Sequence, residues 1–587
     1  MDLYFHRHDG AAVTCDDFRA AMADAASDEA VARLINDHFE EWYTQSGTPT
    51  LVVEARYEET AGGMDKAGTA DLVLTLTQSL LDGSGGSSSG SEGFDGGSIA
   101  PALVIPVRLG ILDPVTGDDC VWSRAPDDDA AGSVPIPILH GDTLVLTERS
   151  QEIRLQGVPS PGANGGGEGG VLSVLRNFSA PVRLVVVGQT REDLAFMMAH
   201  DGDSFNRYEA ARKMSESVLL GLVEELREGG GEGGEEGGGA AGGARVAACA
   251  SDPLFLESFR KFLLDDTVDA SLRAAALALP SFQELAGTLK LGGGGSGGSG
   301  GTERDGVICP TSICEARRVL RETLGARLGE EFHHVLSFSS SASVSPSSSS
   351  SSSSPASPTS PATPPYEFTP AQVGRRRLDA LCLSYLSAVR PIDDRVVQLT
   401  KGLFDSADNM TDQRAAMACL AELDVPEREE ALAAFAARWR DDTLVMDKWF
   451  SVQAQSSLPG AAERCKALME HDAFVFTNPN KLRAVVGAFA RGNPAQFHAL
   501  DGSGYALLGE AIVAIDPVNG QLGAALAKIF LDWTQFDAAR RTMIRAELEK
   551  ILANEAGVSS NTAEVVAAAL AAAVDDAADG GRARARL

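Results

Sequence analysis

Positive charge is scarce in this chain: 50 lysines and arginines stand against 82 acidic residues, for a formal net charge of −32. The one basic cluster at a terminus is the short tail 582–587. Neutralising phosphates requires a basic face, so composition argues against a nucleic-acid partner, and an acidic surface favours solubility instead. Long apolar runs are also lacking. No stretch approaches the ~18 consecutive apolar residues of a membrane span, and Met1-Asp2-Leu3-Tyr4 has neither the basic start nor the apolar run of a secretory leader. The chain therefore reads as soluble and cytoplasmic with no membrane partner; any organellar targeting segment would lie upstream of Met1. Cysteine is sparse and scattered (Cys15, Cys120, Cys249, Cys309, Cys314, Cys382, Cys419, Cys465), which reads as reduced thiols. Cys309 and Cys314 have no second pair nearby to complete a structural zinc site and are taken as ordinary thiols.

What is present has the composition of several folded domains, and 587 residues accommodate roughly four. Five Gly/Ser/Pro-rich tracts (83–98, 160–170, 229–243, 292–301 and 339–365) carry almost no apolar content to offset backbone entropy and are expected to be flexible insertions. Residues 1–46 place Met22, Val31, Leu34, Ile35, Phe39 and Trp42 at mostly helical spacing, ended by Ser46-Gly47-Thr48-Pro49. Strand-like runs follow at 50–57, 71–77, 102–111, 142–147, 152–155 and 181–187. Leu72, Leu74 and Leu76 share one face, so a small antiparallel β-sandwich of immunoglobulin-like type is expected across 47–190. From 191 to 578 the pattern is helical, with starts recurring at intervals of roughly twenty residues, which predicts an irregular helical-repeat array. Residues 579–587 read as a disordered tail. The fold class is thus multidomain α+β.

Two helices can be argued from their own residues. Pro426 suits a first helical position, with Glu427, Glu429 and Glu430 at the positive end and Arg438 and Arg440 at the negative end; Leu432, Phe435, Ala436 and Trp439 form the inner stripe. Asn478 caps the next helix, Pro479 follows, and Gly492 before Asn493-Pro494 ends it. Further starts are expected near Asp516-Pro517 and Phe536-Asp537.

Few residues carry chemistry. Gly294-Gly295-Ser296-Gly297-Gly298 matches the serine-hydrolase elbow but lies in a glycine tract without the strand and helix that motif requires. His6 and His8, beside Asp9 and near Asp16-Asp17, share a face of an extended segment, yet a catalytic zinc needs three ligands and an orienting shell; a hydrogen-bonding role is the expectation. His333-His334 reads the same way. Asp447-Lys448, between Val445-Met446 and Trp449-Phe450, reads as a solvated or ion-paired helix face, and Asp501-Gly502-Ser503-Gly504-Tyr505 as a tight turn between helices.

The segments N-M-T-D from Asn409, V-M-D-K-W-F from Val445, N-P-N-K-L-R-A-V-V-G-A-F from Asn478 and N-P-A-Q-F-H-A-L-D-G-S-G-Y from Asn493 resemble the C-terminal helical domain of the alanyl type of aminopeptidase N, a gluzincin zinc-peptidase family. Met1-Asp2-Leu3-Tyr4-Phe5, Arg7-His8-Asp9-Gly10 and 12–18 resemble the last helices of that family's catalytic domain. Residues 42–49 resemble its crossing into the β-domain, 178–182 the strand closing that domain, 196–198 with 203–205 the first helix beyond it, and 374–378 its helical domain. The resemblance implies a catalytic-domain tail (1–46), a β-sandwich (47–190) and a helical cap (191–578), with the N-terminal catalytic portion as missing partner upstream of Met1 and peptides as substrates of the intact enzyme. In such enzymes two His and a Glu hold zinc, the motif Glu activates water and a Tyr stabilises the tetrahedral intermediate. No histidine here is followed by glutamate, so H-E-x-x-H is absent. No catalytic, cofactor-binding or metal residue is transferred, and this chain is expected to bind no zinc and to be inactive alone. A basic residue of the family's cavity corresponds to Ala525, and Trp533-Thr534-Gln535-Phe536-Asp537 departs from a more basic, tyrosine-containing pattern. The alternative function is a non-catalytic helical peptide-binding or scaffold protein.

Overall fold

The computed structural model describes residues 1–58, 69–80, 102–125, 138–139, 141–160, 169–229, 240–290, 307–341, 368–554 and 556–584. The tracts 83–98 and 292–301, with the Gly294–Gly298 match, lie outside these residues, as do most of 160–170, 229–243 and 339–365. The chain divides into two compact units, Met1–Met214 and Ser215–Leu587. Among the described residues no helix is long and apolar enough to cross a membrane.

The first unit opens with α1 (Asp2–His8), α2 (Cys15–Ala25), α3 (Glu29–His38) and α4 (Glu41–Thr44). Thr14 and Asp17 close a capping box on α2, and Asp28 caps α3 through the amides of Ala30 and Val31. Nine strands follow: β1 (Pro49–Glu58), β2 (Thr69–Leu80), β3 (Ile105–Leu112), β4 (Ser123–Arg124), β5 (Ile138–Leu139), β6 (Thr143–Leu146), β7 (Ser150–Pro159), β8 (Val171–Val174) and β9 (Arg183–Val186). They form two sheets, ordered β4-β7-β2-β1-β9 and β5-β6-β3-β8. Leu51, Val53, Leu72, Leu74 and Leu76 of one sheet share a hydrophobic core with Ile105, Val107, Leu109, Leu144 and Leu146 of the other.

The antiparallel expectation is corrected at one edge: β9 runs parallel to β1, Thr50 opposite Arg183 and Val53 opposite Val186. The cause is topological, since the chain leaves β8 in one sheet and reaches β9 in the other by a crossover rather than a hairpin. Between these strands lie Leu175, Asn177 and Phe178 at φ 62°, 56° and 51°. Non-glycine residues in that region cost on the order of 1 kcal/mol each and persist only where neighbours fix them. The Asp203 carboxylate accepts from the amides of Asn177 and Asn206, both at 2.9 Å. Arg176 bridges Asp119 (2.6 Å) and the buried Asp201 (2.9 Å), which also accepts from Ser173 Oγ at 2.5 Å.

Next come α5 (Arg191–His200), capped by Thr190 and Asp193, and α6 (Ser204–Gly229). The division between the two compact units falls inside α6. The first turn of α6 is fastened to β8: Asn206 Nδ2 donates to Ser173 Oγ (2.7 Å) and to the Val174 carbonyl (3.0 Å).

The second unit is helical. Pro426–Trp439 buries Ala431, Leu432 and Phe435, while Ala436 and Trp439 are half-buried. Asn478 caps the following segment, accepting from the Asn480 amide at 2.9 Å, but the segment is three pieces: Pro479–Leu482, a π turn at Arg483–Gly487, and Ala488–Gly492. Asn478→Ala is expected to cost about 1 kcal/mol, read in thermal unfolding as a Tm lower by a few degrees at most. The start expected at Asp516-Pro517 comes later, at Gly520–Ala527 capped by Asn519. Asp516 instead accepts from Ser559 Oγ (2.7 Å) and Thr562 Oγ1 (2.5 Å), fastening the last helix, Ser560–Arg584. That helix continues across 579–584, into the segment read as a disordered tail. Asp537 caps Ala538–Leu552 through the Arg540 amide.

Candidate functional site

His6 and His8 lie in the last turn of the helix α1 rather than on an extended segment, so positions two apart do not share a face as the sequence reading expects. His6 is exposed; His8 lies against the Tyr4 ring at 5.4 Å. Asp16 accepts from Tyr43 Oη at 2.6 Å and pairs with Arg19 at 3.1 Å, and the bond to Asp16 pushes the Tyr43 pKa up to about 12. Asp17 is held below its usual carboxylate range by the Thr14 amide and then its hydroxyl. Cys309 precedes the helix Pro310–Arg327 and accepts from Ser312 Oγ at 3.3 Å; burial raises the Cys314 thiol to about 11. All eight cysteines are free thiols. His333 and His334 are exposed on the helix Gly329–Ser341, and Ala525 is exposed on Gly520–Ala527.

Asp447 is ion-paired, though not within its own helix. Its partner is Lys481, 2.8 Å away and 2 % exposed, whose Nζ also donates to the Thr443 carbonyl at 2.8 Å and lies 5.3 Å from the Phe450 ring centre. No sequence signal marked Lys481, because it reads as one more surface lysine after Asn478-Pro479-Asn480. Lys448 turns back to the Leu444 carbonyl.

A buried polar cluster is built on 493–505. Asn493 Nδ2 donates to the carbonyls of Ser456 (2.7 Å) and Ala454 (3.2 Å). Gly502 takes φ +72°, and Asp501 accepts from the Ser503 amide and hydroxyl at 2.9 and 2.7 Å, forming the tight turn into the helix Ser503–Ile515. His498 Nδ1 meets Tyr505 Oη at 2.9 Å, while its carbonyl accepts from Arg540 Nε at 2.8 Å. Arg540, itself 4 % exposed, pairs with Asp537 at 2.5 Å and donates to Thr311 Oγ1 at 2.6 Å. Phe282, Phe497 and Phe536 enclose the imidazole at 5.5, 4.9 and 4.7 Å between ring centres. Burial, then the charge of Arg540, lowers the His498 pKa to about 3, and burial raises that of Tyr505. A general base must reach a substrate proton. His498 is only 7 % exposed, stays neutral and is committed to Tyr505, so the cluster acts as a buried latch between helices.

Two hollows among the described residues bear on this question. One, of about 270 Å³, lies in the first unit among β8, β9, α5 and the start of α6, lined largely by apolar side chains such as Leu172, Leu184, Met197 and Phe205. The other, of about 480 Å³, is an open depression at Arg438–Leu444. Neither is lined by a histidine or a cysteine. Nor do the residues present fit a gluzincin zinc site: no His precedes a Glu in the sequence, and among the described residues no three His, Cys, Asp or Glu converge where a metal could sit.

The described residues of the second unit form a succession of packed helices. Residues 191–571 match the family described as "Domain of unknown function (DUF3458_C) ARM repeats", and the chain belongs to that family. Aminopeptidase N of Escherichia coli is 27 % identical over 589 residues, covering 97 % of this chain and 54 % of that protein. Aminopeptidase N of Caulobacter vibrioides is 30 % identical over 573 residues, covering 97 % and 53 %. The solved structure of Legionella pneumophila aminopeptidase A in complex with aspartic acid shares the fold, with a TM-score of 0.65 at 24 % identity over 97 % of this chain and 53 % of that one. The chain spans about half the length of these relatives, as the resemblance to part of an aminopeptidase N implies.

Proposed function

We propose that this chain is the C-terminal portion of an alanyl-type zinc aminopeptidase, in which residues 191–578 cap the active site and the N-terminal catalytic portion holds the zinc and removes N-terminal residues from peptides. The observation that carries this reading is the alignment itself: 97 % of the chain is matched by proteins of which it spans only 53–54 %. We assign no catalytic or metal residue to the chain. On this reading residues 1–46 are the catalytic domain's closing helices and 47–190 an immunoglobulin-like sandwich between them and the cap. The free thiols favour a reducing compartment, and we take it to be the cytoplasm.

The test is to graft the chain in place of the matching half of the Caulobacter vibrioides relative. Hydrolysis of alanyl- and arginyl-naphthylamide is then measured alongside the ungrafted chain, with zinc content determined on each. Chelator-sensitive turnover by the graft, with neither turnover nor stoichiometric zinc in the chain alone, is the expected result. Turnover with bound zinc in the chain alone would overturn the reading, and His6 and His8 would be the first residues to replace.

A further inference from the structure

The two sheets end at the crossover in the edge strands β8 and β9, and α5 with the first turns of α6 closes the space between them. The helices do not fill it. A hollow of about 270 Å³ remains, floored by the buried side chains of Leu172, Val174, Leu194, Met197 and Ala210. An apolar cavity of ~150 Å³ is enough to take a benzene ring, so this one has room for a ring with a short chain attached. Its mouth is strained. Leu175 and Phe178 line it, and both take positive φ, 62° and 51°. Neighbours hold that backbone in place: Asp203 accepts from the Asn177 amide at 2.9 Å, and Arg176 pairs with Asp119 and Asp201. Burial of Leu175 offsets its share of the strain, but Phe178 stays 54 % exposed, its ring 5.1 Å from that of Phe205 at the lip. Strain of this kind persists at ligand clamps, and an apolar body lying under the two rings would supply the burial that Phe178 lacks within the chain itself. Arg183, also at the mouth, is exposed, and among the described residues no hydrogen bond or ion pair engages its guanidinium.

We propose that this hollow is a binding site for a small aromatic monocarboxylate, its ring on the apolar floor beneath Phe178 and Phe205 and its carboxylate at Arg183. The inference does not rest on the function proposed above. The floor carries no titratable group, so it favours an uncharged body, and the polar contact must be made at the mouth. There the planar guanidinium of Arg183 offers paired donors that match a carboxylate. Glu209 and Lys213 also reach the mouth, Lys213 Nζ donating to Gln189 Oε1 at 3.5 Å. Their charges offset one another, which leaves Arg183 to set the sign of the head group.

The experiment titrates hydrocinnamate, its amide and phenylpropylamine into the full 587-residue chain by calorimetry at low ionic strength. Saturable binding of the carboxylate, about threefold or more tighter than the amide, is the expected result. Arg183→Gln should bring the carboxylate down to the level of the amide and leave the amide as it is. Two substitutions that fill the hollow, Ala210→Leu at its floor and Val186→Phe at its side, should each weaken the carboxylate about tenfold or more. Val186 is only half-buried, so its variant keeps the test open if the larger floor residue disturbs α6. Phe178→Gly separates a ligand role from a purely structural one. Glycine adopts φ 51° without strain, so this variant should melt no lower than the wild type and yet bind about tenfold more weakly. No saturable binding to the wild type, or binding unchanged in both filling variants, would overturn the proposal. So would a Phe178→Gly chain that binds as tightly as the wild type. An amine bound more tightly than the carboxylate would make Glu209 the head-group partner and overturn the assignment of an anion.

Discussion

Gly504→Asn destabilises the helical unit by about 3 kcal/mol or more, while Gly502→Asn, two residues away, costs about 1 kcal/mol or less. The two glycines are required for different reasons. Gly502 sits at φ +72°, a conformation asparagine tolerates better than any other non-glycine residue, and the nearest atom to a side chain there is the flexible Met543 sulfur. Gly504 has ordinary helical geometry, but a Cβ on it would overlap the backbone carbonyl of Phe497. Backbone cannot yield as a side-chain tip can, so the helix Ser503–Ile515 must move away from residues 493–498. That movement carries Tyr505, fully buried, off His498 Nδ1 and breaks its edge contact with Phe497 at 5.3 Å. Urea unfolding of the two variants decides the matter; a Gly504→Asn chain within about 0.5 kcal/mol of wild type, the range of neutral surface changes, would show that the close approach carries no weight.

Legibility of the fold followed the physics of each element. β1, β2, β6 and β7 alternate or cluster apolar residues and were visible as strands. β8 was not, because all four residues from Val171 to Val174 are buried and no alternation betrays a strand packed on both faces. The direction of β9 depends on a crossover that no local pattern encodes. The helix cap at Asn478, the helix start near Asp537 and the turn at Asp501 are local chemistry and can be read directly, whereas the start expected near Asp516 comes later because Asp516 is engaged by Ser559 and Thr562, which lie far along the chain. The same holds for the cluster around His498. Its sequence shows the turn, but Arg540, Thr311 and Phe282 reach it only through the packing of distant helices.

His498 also makes the helical unit sensitive to acid. Its pKa falls from 6.5 to about 3 on folding, through burial and then the Arg540 charge. Between those two values the unfolded chain takes up a proton that the folded chain refuses, so unfolding becomes easier as pH falls; the contribution is fully present above about 6.5 and lost towards 3. Each pH unit in that window costs about 1.4 kcal/mol, or about 2–3 kcal/mol between pH ~6.5 and ~4.5. Carboxylates shift the pH profile as well, so the contribution of this one imidazole is isolated by comparison with His498→Gln, whose amide can still reach Tyr505 Oη but does not titrate. At pH ~7.5 the variant is expected to be less stable by about 1–2 kcal/mol, from poorer packing among Phe282, Phe497 and Phe536. At pH ~4.5 that order reverses or vanishes, because only the wild type then carries the protonation penalty. Urea midpoints measured for both chains at the two pH values test this. Parallel profiles, with the variant lower by the same amount throughout, would mean that His498 is protonated in place or reached by water, and that the latch tolerates a charge.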